Sequence, residues 1–133
     1  MAYPQELRRI FAFFTLHQVI SPQYSESIMT LQELYTTFNQ LLASNKFEQA
    51  ESSMQKILDI QGQPWQQYFY MPASFYESWG DYAIANGEEA QPYYQKALQY
   101  RQEIGYQATG SGEGMEAMYH IKRIRKKLTG QKQ

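Results

Sequence analysis

Residues 80–105 read Gly-Asp-Tyr-Ala-Ile-Ala-Asn-Gly-Glu-Glu-Ala-Gln-Pro-Tyr-Tyr-Gln-Lys-Ala-Leu-Gln-Tyr-Arg-Gln-Glu-Ile-Gly. Asn86-Gly87 is a turn signal, set between the end of one helix and a complete second one. Beyond it Ala90, Tyr94, Ala97, Leu98, Arg101 and Ile104 recur at spacings of three and four, which puts them on one helical face. An earlier segment echoes this one. Ala50, Gln55, Lys56 and Leu58 correspond to Ala90, Gln95, Lys96 and Leu98 at an offset of 40 residues. Self-similarity at a fixed period is the mark of a helical repeat array.

Working outward, the same periodicity predicts about six helices and no strand. A first helix is expected over 1–20, with Leu7, Ile10, Phe11 and Phe14 along one side. Ser21-Pro22 then breaks and restarts the chain, a cap residue followed by a proline suited to a first helical turn. Ile28, Leu31, Leu34, Tyr35, Phe38, Leu41 and Leu42 predict a helix over 22–43, and Phe47, Ala50, Met54, Ile57 and Leu58 another over 46–60. These two form a first hairpin, 22–62. A second hairpin spans 64–105. Within it Pro72 leaves two outcomes, a kinked helix over 64–85 or a short helical turn followed by a new helix from about 72. The second is preferred because Phe75, Tyr76, Trp79, Tyr82 and Ala83 form a coherent face by themselves. Four glycines between 105 and 114 read as a mobile connector. A capping helix follows over 115–128, with Met118, Ile121, Ile124, Arg125 and Leu128 along one side, and then a disordered tail over 129–133.

At 133 residues the chain is expected to fold as one all-α domain. Absence of cysteine excludes disulfides, thiolate metal sites and cysteine nucleophiles. No run reaches the roughly 18 apolar residues of a membrane span. Ile10 to Ile20 follows Arg8-Arg9 as a signal peptide would, but His17 and Gln18 interrupt it and no small-residue cleavage site follows. A cytoplasmic protein is expected. The net charge of −1 hides an asymmetry: residues 122–133 carry +6, residues 1–9 carry +1 and residues 10–121 carry −8. Such a distribution bears on partners and on encounter rates.

Trp79-Gly80, the turn at Asn86-Gly87, and Ala90, Tyr94, Ala97 and Leu98 resemble the helix-turn-helix pattern of the tetratricopeptide repeat family. Residues 97–105, followed by Gly112-Glu113-Gly114-Met115-Glu116-Ala117, are similar to its long variety, with a repeat of about 40 residues. The resemblance covers residues 28–125. Gly80 and Ala90 stand two residues closer than in that repeat, which implies a tight or shifted turn. Phe38 occupies the place of the small glycine in the earlier unit, and the last unit supplies only its first helix, as a cap. The resemblance implies a solenoid of helical hairpins. Its concave surface, lined by the first helix of each pair, would hold an extended or helical peptide.

No catalytic set is legible. His17 and His120 lack metal-ligand spacing, Glu88-Glu89 suits a helix start, and the glycine run lacks the ending of a phosphate-binding loop. His120, beside the basic run, is expected to be solvated. No enzyme activity and no cofactor is expected. The chain reads as a protein-interaction module, an adaptor, chaperone or inhibitor, one version being an immunity-type protein that neutralises a basic toxin. Its partner would be a basic or amphipathic protein or peptide. Contact candidates are Tyr35, Asn39, Tyr68, Tyr70, Tyr76 and Tyr82, aromatics being frequent interface anchors. The basic run Lys122, Arg123, Arg125, Lys126 and Lys127 admits three readings: a solvated helix face, a nucleic-acid patch opposed by the acidic body, or a clamp onto that body in the same chain or a second copy. Competing readings are a nucleic-acid-associated protein using this run, and a self-assembling subunit or homodimer.

Overall fold

The computed structural model describes residues 22–63, 67–108, 110 and 112–131. Five helices account for nearly all of them: α1 (Pro22–Ala43), α2 (Phe47–Gln61), α3 (Gln67–Ala85), α4 (Gln91–Gln107) and α5 (Gly112–Gln131). No strand occurs among the described residues. The helix expected over 1–20 lies outside them. The chain divides into two compact units, Met1–Gly62 and Gln63–Gln133, where the sequence reading groups all residues in one domain.

In the first unit α1 packs against α2. Leu31, Tyr35 and Phe38 from α1 are buried, as are Ala50, Met54, Ile57 and Leu58 from α2. The helices turn tightly at Asn45, whose φ of 58° is left-handed. Lys46 N–H donates to Leu41 O at 2.9 Å and Asn45 N–H to Leu42 O at 3.0 Å. These paired bonds satisfy carbonyls that a helix end would otherwise leave open.

The second unit repeats the device. Glu88 N–H donates to Ala83 O at 2.8 Å and Gly87 N–H to Ile84 O at 3.0 Å, around Gly87 with φ of 70°. Both hairpins therefore close through the same motif, with αL supplied by Asn45 in one and Gly87 in the other. Two further residues then precede α4, whose Pro92 lies in its first turn. Ala90, Tyr94 and Ala97 are fully buried, as are Ala50, Met54 and Ile57 forty residues earlier. Of the echoed residues, Gln55, Gln95, Lys56 and Lys96 are exposed, and Leu58 is buried where Leu98 is half-buried.

Gly80 sets how closely α3 meets α4. A Cβ there would fall 2.5 to 2.9 Å from ring atoms of Tyr94, so only glycine admits that ring. An aromatic ladder links the same two helices. Trp79 stacks on Tyr93 at 4.1 Å between centroids, and Tyr76 lies parallel to Tyr100 at 6.1 Å. Against α4, α5 places buried Ala117, Ile121 and Ile124.

Three expectations need correction. α3 is continuous through Pro72, with no new helix starting there. Loss of one backbone bond is offset by the burial of Met71, Pro72, Ala73 and Phe75 on both sides of the proline. The glycine connector is shorter than expected, because α4 runs through Gly105 and α5 already begins at Gly112. Finally, α5 continues through Gln131 instead of fraying from 129; Thr129 Oγ1 donates back to Arg125 O at 2.9 Å.

Candidate functional site

Position, charge and exposure divide α5 into three faces. One packs on α4 through Ala117, Ile121 and Ile124. A second carries Arg123 and Lys127, four residues apart and so on one side, and reaches α3. Arg123 grips Glu77 with both arms, Nε to Oε2 at 2.9 Å and Nη2 to Oε1 at 2.5 Å. Lys127 Nζ donates to Glu77 Oε2 at 2.7 Å and to Asp81 Oδ1 at 3.0 Å. Tyr94 from α4 donates its hydroxyl to Asp81 Oδ1 at 2.6 Å, so the network ties all three helices together. Burial pushes the Glu77 carboxyl up, but hydrogen bonds and charge from Arg123 and Lys127 more than reverse this and hold it at about 2. Burial raises the Tyr94 hydroxyl, and the neighbouring Asp81 raises it further.

Arg101 lies deeper, 6% exposed. It donates through Nη2 to Ser74 Oγ at 3.4 Å and sits 5.9 Å from the Tyr70 ring centroid. Its Nε has no hydrogen-bond partner among the described residues. Burial pulls its guanidinium below the ordinary range, and Glu77 opposes that. His120, expected to be solvated, is instead half-buried, with Nε2 3.5 Å from Glu116 and Nδ1 enclosed. Burial lowers its pKa, as do Arg101 and Arg123. Among the described residues no group of three or more His, Asp or Glu side chains could hold a metal ion.

The third face of α5 is open. Met115, 77% exposed, and Met118, 53% exposed, line a groove of about 800 Å³ together with Ile121 and Arg125. Its other wall is the end of α4, Gln102, Gly105 and Tyr106, and glycines of the connection form the near end. Tyr106 is 79% exposed. Among the described residues no carboxylate lines the groove. Continuing along the same face, Lys122, Arg125 and Lys126 are exposed, and none has an ion pair among the described residues. Methionine, flexible and polarizable, suits a surface that must adapt to a partner's side chains.

The tyrosines singled out from sequence do not converge. Tyr35 is fully buried in the first unit, where Asn39 is exposed. In the second unit Tyr76 is buried in the aromatic ladder, while Tyr68, Tyr70 and Tyr82 are half-buried along α3. The basic run also divides. Arg123 and Lys127 turn inward to Glu77; Lys122, Arg125 and Lys126 face solvent. The sequence reading sets Met118 and Arg125 on one side with Ile121, Ile124 and Leu128, which does not separate the packed face from the open one. The signal was present: Met115, Met118, Lys122 and Arg125 follow spacings of three, four and three, a single helical face whose apolar part does not coincide with Ala117, Ile121 and Ile124. The chain matches no protein-family model, and no curated protein or solved structure shows significant similarity to it.

Proposed function

We propose that this chain is a tetratricopeptide-like helical-repeat module that acts without catalysis, by binding another protein, and that its contact surface is the groove between α4 and α5. The repeat reading is supported by the two hairpins, which close through one turn motif, and by matched burial forty residues apart. The binding reading rests above all on Met115, Met118 and Tyr106. Three large apolar side chains are held in solvent around one concavity, on helices whose other faces are packed. Contiguous exposed apolar surface of this kind marks interaction sites, and a groove between helices accepts a helical segment. The contact surface thereby moves from the tyrosines of the first helices to the outer side of the last two.

Site-specific photo-cross-linking in cells tests this. A photoreactive residue at position 118 is expected to join the chain to a discrete protein. One at Lys56, exposed on α2, is expected to give no such adduct. Identical adducts from both positions, or none from 118, would refute the assignment.

A further inference from the structure

We infer that the occupant of the α4–α5 groove is an acidic amphipathic helix of a partner protein, with apolar residues towards one end and carboxylates towards the other. This rests on the groove being the contact surface, and adds the chemistry of what fills it.

The groove face of α5 has two halves. Met115 and Met118 form the first, and Lys122, Arg125 and Lys126 the second. From Met115 to Arg125 the helix rises about 15 Å, the length of roughly three helical turns. A helix laid along it would meet methionines first and cations next. Charge decides the sign of the partner. Arg123 and Lys127 are already neutralised by Glu77 and Asp81, whereas among the described residues the three cations on the open face have no ion pair and no carboxylate lines the groove. Overall acidity of residues 10–121 suggests a basic partner, but exposed charges beyond about 10 Å are screened, so the local cations govern.

Other occupants account for less. Nucleic acid would use the three cations but leave Met115 and Met118 in solvent, since phosphate contacts carry its affinity. An anionic membrane would accept both halves, yet a flat bilayer does not fill a concavity of about 800 Å³.

The test uses the full chain, isotope-labelled for NMR. The probe is a capped synthetic helix of about 18 residues, leucines spaced three and four apart in its first half and glutamates filling the second. A matched peptide with lysine for every glutamate and anionic phosphatidylserine vesicles serve as comparators. The glutamate peptide is expected to shift the amide signals of Gly105, Tyr106, Met115 and Met118. It should bind at least about tenfold more tightly than the lysine peptide. In the K122E/R125E/K126E variant, altered only at exposed positions, that preference should reverse. Equal binding of the two peptides, or preference for lysine, overturns the acidic assignment while leaving the groove a protein site. Vesicle binding with no peptide-induced shifts, or a concentration-dependent doubling of mass that blocks the peptide, assigns the face to lipid or to a second copy and overturns it. Absence of shifts at the groove with either peptide removes both this inference and the function proposed above.

Discussion

Arg123 and Glu77 meet as a two-armed pair across 46 positions of sequence, with the guanidinium on α5 and the carboxylate on α3. The pair holds one helix onto a hairpin. It also explains why half-buried cations stand in the middle of a basic run: their counter-charge is internal.

Replacing Glu77 with Gln is expected to destabilise the chain by about 3 kcal/mol, because it leaves Arg123 partly buried without an anion and Lys127 with Asp81 alone. A lowered urea midpoint with unchanged slope would measure this. R123M in the E77Q background should cost much less than R123M alone, since the pair is already broken. Additive losses would show that the two residues act independently.

Acid should loosen the second unit in two stages. Glu77 has its pKa lowered from 4.5 to about 2. A depressed carboxylate stabilises the fold above its unfolded value, and that stability, ~3 kcal/mol, is lost as pH falls from about 5 towards 2. His120 has its pKa lowered by burial. The folded state therefore resists its protonation, and stability begins to decline once pH drops below about 6.5. Thermal unfolding of wild type, E77Q and H120Q across pH 2–8 separates the stages. The E77Q curve should be flat between about 5 and 2 where the wild type falls.

Gly80→Ala should destabilise despite alanine's better helix propensity. Propensity favours alanine by about 1 kcal/mol. The new methyl would meet Tyr94 ring atoms at 2.5 to 2.9 Å, and that ring is fully buried with its hydroxyl bound to Asp81. Overpacking of this kind costs typically 1–3 kcal/mol. A net loss of about 1 kcal/mol by chemical denaturation is expected, together with a changed Tyr94 environment in aromatic NMR signals.

Gly105→Ala should do the opposite. Its Cβ would lie 3.7 Å from the Ala117 Cβ, an ordinary contact, so propensity dominates and a gain of about 0.5 kcal/mol follows. Because Gly105 also lines the groove, the variant is expected to bind the glutamate peptide more weakly while melting at a higher temperature.

The hairpin framework was legible because periodicity and turn chemistry agreed. Ile28 to Leu42 marks α1, and Asn86-Gly87 marks a turn whose second residue does take the left-handed conformation. Pro72 was misread since a rule about one lost backbone bond says nothing of the neighbours' burial. Gly105 looked like a helix stop, but it sits inside α4, in ordinary contact distance of Ala117 on α5. The aromatic count pointed to tyrosines as contacts, yet Tyr35 and Tyr76 are interior. Composition cannot tell a packed ring from an exposed one. On α5 the exposed Met115 and Met118 and the buried Ala117, Ile121 and Ile124 share one apolar stripe in sequence, and packing against α4 separates them.

The network at Glu77 makes the third helix a condition of the other two. Cut the chain after residue 108, and Glu77 loses both cations, while Ile104 and Ala73 lose the cover of Ala117. Such a fragment would favour a loosened hairpin over a smaller copy of the native one. The smallest autonomous piece of this half of the molecule is therefore three helices long, and anyone excising a single hairpin as a minimal scaffold would inherit a stranded anion.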